Sequence, residues 1–188
     1  MYDTAMQLET PRLLLRQPRL GDLDRWAEFM ANPETAGPIG GVQQRPVVWR
    51  SLATMAGAWA VAGFGMFSAV LKDSGEWIGR LGPWCPEGWP GTEVGWGIRR
   101  EYWGRGFATE GSIAAIDWAF DELGWTDVIH TIAPDNLNSQ AVARRLGSGK
   151  RGPGRLPEPF AHLPVEIWGQ TREQWRQQRA RLPLKAGT

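Results

Sequence analysis

The sequence predicts an α/β (α+β) protein: a mixed, mostly antiparallel sheet with a central parallel pair, flanked by helices. Three observations carry this. Residues 66–98 hold strand-like runs separated by turn residues, the pattern of an antiparallel meander. Residues 92–133 read as strand, helix, strand, and two strands joined through a helix pair parallel. Before residue 63, two segments carry apolar residues at helical rather than alternating spacing.

In chain order, Arg12-Leu13-Leu14-Leu15-Arg16 is an apolar run after Pro11 and reads as a first strand. Gly21-Asp22-Leu23-Asp24 offers a cap for a helix whose apolar side holds Leu23, Trp26, Phe29 and Met30. Asn32-Pro33 ends it, and residues 35–45 read as a Gly- and Pro-rich loop. Pro46 begins a second helix, through Trp49, Leu52, Ala53, Ala56 and Trp59 to about Ala62. Residues 66–72 and 76–81 are strands around Asp73-Ser74-Gly75, a hairpin turn. Pro83 to Gly91 reads as loop and residues 92–98 as the next strand.

Glu101-Tyr102-Trp103-Gly104-Arg105-Gly106 follows as a glycine-bearing turn, and residues 108–123 form a helix. Asp127 to Ala133 is a β-rich strand, Pro134-Asp135-Asn136 breaks it, and residues 137–146 form a short helix. Ser148 to Pro159 predicts a weak strand or loop, and Val165 to Trp168 a last strand. Thr171-Arg172-Glu173-Gln174 is a capping box for a terminal helix through Arg179, with a few disordered residues after it.

The 188 residues suit one domain spanning 1–188, and a net charge of +1 argues against general nucleic-acid binding. No apolar run is long enough to span a bilayer, and the start lacks the layout of a secretory signal. The single cysteine, Cys85, excludes an intramolecular disulfide and fits a reducing, cytoplasmic setting. Neither His130 nor His162 has a partner at ligand spacing, so no metal site is expected.

The turn at 104–106 is the most informative stretch. Two glycines can take left-handed backbone angles and admit a ligand close to the main chain. The helix start beyond them presents unpaired N–H groups to an anion, with Arg99, Arg100 and Arg105 adding mobile positive charge. The bare inference is a pyrophosphate cradle; a tight turn with no ligand would also explain Gly-x-Gly. No Gly-Lys-Ser/Thr follows, so this is not a Walker loop, and a dinucleotide fingerprint would need a third glycine.

Trp103-Gly104-Arg105-Gly106-Phe107-Ala108-Thr109 resembles the acyl-CoA loop of the GCN5-related N-acetyltransferase superfamily, in the branch that acetylates ribosomal-protein N-termini. Trp103 stands where that loop usually has Gln or Arg. A second block, Asn136-Leu137-Asn138-Ser139 followed by Arg145-Leu146-Gly147, resembles the same branch, although Ser148 replaces its usual aromatic. The resemblance covers most of residues 8–170. It implies a sheet whose parallel pair splays into a V-shaped cleft, acetyl-CoA as co-substrate, and direct acetyl transfer to an amine acceptor in a ternary complex. It implies an acceptor side walled by residues 35–62, and it leaves a homodimer open.

Under that resemblance the diphosphate meets Trp103, Gly104, Arg105, Gly106, Phe107, Ala108 and Thr109. An amide of Trp96, Gly97 or Ile98 would hold the thioester oxygen. Ile98, Arg99 and Arg100 would line the pantetheine arm, and Asn136 would bond its amide or else cap the helix. Gly95 and Gly97 in one strand suggest a bulge or a close ligand approach. An α-amine, with a pKa of about 8, needs little help to become neutral; a lysine at about 10.4 needs more. Glu93, on the strand that reaches the cleft, is the candidate base, against a solvated strand residue. Ser139 is the candidate proton donor to the thiolate, against a helix-start hydroxyl, because Tyr2 and Tyr102 both lie outside the second block. Glu110 reads as a structural partner of the helix dipole. A thiol mechanism through Cys85 has no evident base. The alternative function is a non-catalytic or regulatory acyl-CoA-binding protein; a nucleotide hydrolase lacks the lysine and metal carboxylates it would need.

Overall fold

The computed structural model describes residues 6–182. Eight strands form one sheet: β1 (Gln7–Glu9), β2 (Leu13–Arg16), β3 (Phe67–Leu71), β4 (Trp77–Trp84), β5 (Glu93–Ile98), β6 (Asp127–Ile132), β7 (Gly149–Gly154) and β8 (Val165–Thr171). Their order across the sheet is β1-β2-β3-β4-β5-β6-β8-β7. Every neighbouring pair is antiparallel except β5 and β6. The helices are α1 (Leu23–Ala31), α2 (Pro33–Ala36), α3 (Arg45–Ala62), α4 (Phe107–Asp121), α5 (Leu137–Arg145) and α6 (Arg172–Arg179).

The sheet is covered on both faces. On one, α4 buries Ile113, Ile116, Ala119 and Phe120 against Leu13, Leu15, Leu81 and Val94. Each large apolar side chain removed from water there contributes about 1.5–3 kcal/mol. Helix α6 docks on α4 through Asp117, which accepts from the Trp175 indole (2.9 Å) and pairs with Arg179 (2.8 Å). On the other face, α1 and α3 bring Trp26, Phe29, Leu52 and Met55 onto Met66, Val70 and Trp77.

Four expectations change. Strand β1 is unanticipated: its three residues form a short edge against β2. Residues 35–45 are not wholly loop, because Asn32 caps α2 by accepting from the Glu34 amide (2.9 Å) and a 3-10 turn follows over Gly37–Ile39. Strand β4 runs through Pro83 to Trp84, paired with Val94 and Glu93, so the loop starts later than predicted. Asp22 precedes α1 but makes no side-chain cap. Burial alone would raise its pKa. Hydrogen bonds from Arg16, Ser68 and the Arg19 amide reverse that, holding it below the usual carboxylate value as a buried anchor. The capping box at Thr171 and Gln174 forms as predicted. The tail expected to be disordered begins near the end of the described residues and lies largely outside them.

Candidate active site

The site is organised by the parting of β5 and β6. Their register holds at one pair, Glu93 with Ile129, and the Ile129 amide donates to the Thr92 carbonyl at 2.9 Å. Beyond that point side chains replace the main-chain ladder. The Thr131 amide donates to Glu93 Oε1 (2.9 Å), and His130 Nδ1 donates to the Val94 carbonyl (2.7 Å). The two strands are thus held apart and braced, rather than left with bare polar edges.

Residues of β5 alternate between their two neighbours. The Arg99 amide donates to the Ile78 carbonyl (2.8 Å), which fixes Glu93, Gly95, Gly97 and Arg99 as the main-chain groups facing β4. The main chains of Val94, Trp96 and Ile98 therefore face the gap. The Ile98 carbonyl is taken there by the Trp103 indole at 2.7 Å. Of the three amides nominated for the oxyanion, those of Trp96 and Ile98 face the gap and that of Gly97 faces β4. No bulge occurs at Gly95 or Gly97, since the β4–β5 register runs unbroken. Their small size answers packing, and Gly95 also lines the cavity at the split. A Cβ on Gly95 would lie 2.8 Å from Met66 Cε, and one on Gly97 3.0 Å from Phe29 Cζ.

A cavity of about 540 Å³ opens at the split. Glu93, Trp96, Asn136 and Ser139 line it, together with Arg80 and His130; residues 104–109 do not. Gly37, Pro38, Ile39 and Met55 line it as well, from the segment predicted to wall the acceptor side. Glu93 is only 4% exposed, which rules out the solvated alternative. Burial raises its pKa, opposed by hydrogen bonds from the Thr131 amide, the Trp89 indole and the Thr131 hydroxyl, and by the charge of Arg80. A carboxylate shifted toward neutrality is suited to exchanging protons.

Ser139 Oγ accepts from the Trp96 indole at 3.3 Å. That leaves the serine's own hydrogen free to be donated. Its amide donates to Asn136 Oδ1 (3.0 Å), so Asn136 does cap α5. Sequence reasoning passed over His130. Burial lowers its pKa to about 4, so the ring is neutral, with its proton on Nδ1 facing the Val94 carbonyl. Nε2 then accepts from the Ser148 hydroxyl (2.9 Å), and Ser148 accepts from Gln170 Nε2 (3.1 Å). With both nitrogens engaged, His130 is a brace rather than a base. Ser148, in place of an aromatic, is the middle of that chain.

At the glycine turn, Gly104 and Gly106 both take left-handed angles (φ +72° and +82°). Gly106 is the N-cap of α4 and supplies no side chain; the first helical bond is donated by Glu110 to its carbonyl. The amides of Phe107, Ala108 and Thr109 thus have no intrahelical acceptor, an arrangement that can take an anion. The Phe107 ring itself is buried in the core. Glu110 is structural: it accepts from the Thr10 hydroxyl (2.6 Å) and the Arg12 amide (2.9 Å) and pairs with the Arg12 guanidinium. Arg12 in turn donates to the Arg105 carbonyl (3.0 Å), tying the turn to β2.

The expected mobile charge is smaller than predicted. Arg99 is partly buried and held by Glu28, Glu76 and Glu101 at 3.5, 2.8 and 2.5 Å, and Arg100 pairs with Glu34 at 2.6 Å. Arg105 has no ion pair among the described residues; it stands over the Tyr102 and Phe107 rings. Tyr102 lies in the turn after β5, and Tyr2 lies outside the described residues. Burial, then Glu93 and Glu87, push the Cys85 thiol up, which keeps it a poor nucleophile at neutral pH. Among the described residues, no cluster of three or more His, Cys, Asp or Glu could hold a metal, and no helix is long and apolar enough to cross a membrane.

Comparison with known proteins agrees with the fold. A family model described as an acetyltransferase (GNAT) domain matches residues 12–148. An uncharacterized N-acetyltransferase, p20, of Bacillus licheniformis is 29% identical over 152 residues, which cover 77% of this chain and 83% of p20. The crystal structure of an acetyltransferase from Agrobacterium tumefaciens matches with a TM-score of 0.80 at 28% identity, covering 92% of this chain and 98% of that one. RimJ of Mycobacterium smegmatis, solved in complex with CoA-disulfide, shares the fold (TM-score 0.69, 21% identity, 95% and 94% coverage).

Proposed function

The chain belongs to the GNAT acetyltransferase family, and from that premise we propose that it transfers acetyl directly from acetyl-CoA to a primary amine within a ternary complex. The acceptor is the α-amine of a protein N-terminus or a small amine. The observation that carries the reading is the parting of β5 and β6 after a single registered pair. It puts unpaired main chain, a buried carboxylate and a serine hydroxyl around one cavity.

The residues fit the co-substrate. The uncapped start of α4, behind two left-handed glycines, offers the amides of Phe107, Ala108 and Thr109 to a diphosphate. Arg105 supplies the charge. Trp103 holds the turn to the end of β5 through the Ile98 carbonyl. The Trp96 or Ile98 amide, facing the gap, would donate to the thioester oxygen, and Asn136 Nδ2 is available to the pantetheine.

In the transfer an N–C bond forms as the thioester C–S bond breaks. Glu93 takes the proton leaving the amine, and Ser139 donates one to the departing thiolate. An α-amine titrates near 8, so a carboxylate of raised pKa is a sufficient base.

Thiol release in the presence of acetyl-CoA and a panel of amines and peptides, with mass spectrometry of the products, tests this. A mass gain of one acetyl on the amine is expected. Thermal stabilisation by CoA with no thiol released from any member would leave a binding protein instead.

A further inference from the structure

One charged group at the cavity has no place in the mechanism above. Arg80 lines it, yet forms no ion pair among the described residues. Its Nη1 lies 2.7 Å from Met66 Sδ, a weak acceptor, and its buried Nε has no hydrogen-bond partner. Nε and Nη2 together form the edge of a guanidinium that grips a carboxylate in two parallel bonds, and no hydrogen bond within the described residues uses it. Burial pulls its pKa down to about 10, with the charge of Glu93 opposing. By contrast Arg16, equally close to the sheet, is paired with Asp22 at 2.6 Å. Glu93 acts on this partly buried charge from beyond ion-pair distance and the Trp26 ring lies 5.9 Å away, so the Nε–Nη2 edge still lacks a group that bonds to it.

The register shows which groups surround it. Arg80 is opposite Gly97 and Trp84 is opposite Glu93, so Arg80 and Glu93 rise from the same face of the β4–β5 pair. Met66 lies between them: its sulfur meets Arg80, and its methyl covers Gly95, beside Glu93. A methionine is unbranched and adaptable, and can yield to a ligand. Around this cation and carboxylate the walls are apolar, with Trp84, Trp89, Met55 and Leu163. The volume of about 540 Å³ is that of a small-molecule site.

We propose that the acceptor is a small zwitterionic amine of amino-acid type with an apolar side chain, its carboxylate held by Arg80 and its amine turned toward Glu93. The proposal rests on the acetyl-transfer reading for its amine and on Arg80 alone for its carboxylate. A protein N-terminus would bring a neutral peptide carbonyl to that guanidinium and leave the charge unpaired.

Binding of reaction-product mimics tests the carboxylate site without requiring turnover. Calorimetry with N-acetylphenylalanine and N-acetylphenylalaninamide, which differ only in that group, should show the acid binding at least tenfold more tightly to the wild-type chain. Arg80→Gln should bring the two within about twofold, and Arg80→Lys should restore part of the difference. Equal binding of acid and amide, binding of neither, or a preference that survives Arg80→Gln would overturn the proposal. So would faster thiol release with a phenylalanine-led peptide than with free phenylalanine. If the acid preference is present but no amine releases thiol, the anion site stands and the transferase reading falls.

Discussion

The chain from Gln170 through Ser148 and His130 to the Val94 carbonyl predicts a specific acid sensitivity of folding. His130 is 1% exposed, and burial lowers its pKa to about 4, against an ordinary value of 6.5. Above pH 6.5 the ring is neutral in both folded and unfolded chains, and the contribution is constant. Below it, the unfolded chain takes up a proton that the folded chain refuses, because Nδ1 already donates to a carbonyl and Nε2 already accepts from Ser148. Stability therefore falls as pH falls, by up to about 1.4 kcal/mol per pH unit and by about 3 kcal/mol by the time the folded-state pKa is reached. Glu93 acts in the opposite direction, since its raised pKa lets the folded chain bind a proton first as pH falls. The assay must therefore isolate the histidine. Urea denaturation of wild type and His130→Gln at pH 7, 6 and 5 does so: the variant loses stability at every pH, but its curve should lack the histidine slope. Parallel curves for the two proteins would refute both the neutral ring and the bonding chain inferred for it.

Three further outcomes follow from the site. Glu93→Gln should lower the transfer rate by about 100-fold, the usual scale for a general base, and most severely below neutral pH, where little free amine exists; an unchanged pH–rate profile would remove Glu93 as the proton acceptor. Ser139→Ala should reduce kcat by about tenfold or more with KM little altered, because it removes a proton donor while the Asn136 cap on the residue-139 amide persists. A fall in affinity with kcat intact would make Ser139 a binding residue only. Gly106→Val should cost about 1–2 kcal/mol, since a β-branched residue is strained at φ +82°. It should also abolish thermal stabilisation by CoA; stabilisation retained in full would move the diphosphate away from the start of α4.

What could be read in the sequence was local, and what could not was set by strand order. The turn at 104–106 announced itself because two glycines between an alternating and a helical pattern have few explanations, and both are left-handed in the fold. The parallel pairing of β5 and β6 followed from the helix between them. Arg99 was misjudged as mobile charge because its partners, Glu28, Glu76 and Glu101, arrive from α1, the β3–β4 turn and the segment after β5, and no spacing records that convergence. The packing role of the β5 glycines is invisible for the same reason: Met66 and Phe29, which need the room, lie far off in the chain.

Yet one usable signal was present. His130 stands within Val128-Ile129-His130-Thr131-Ile132, and Arg80 within Trp77-Ile78-Gly79-Arg80-Leu81, each a polar group in an otherwise apolar strand. Such a residue is costly unless paired. What pairs with it depends on which strand folds alongside. For His130 the partner chain closes because β8 lies next to β6 and carries Gln170, so the group is satisfied internally and becomes structural. Beside Arg80 stand Met66, just before β3, and Gly97 opposite it on β5, while Glu93, further along β5, acts on its charge without forming an ion pair. The same sequence signal thus divides into a brace and a binding group by what the neighbouring strands bring. Arg80, whose Nε finds no hydrogen-bond partner among the described residues, is the one assigned to the carboxylate of an acceptor.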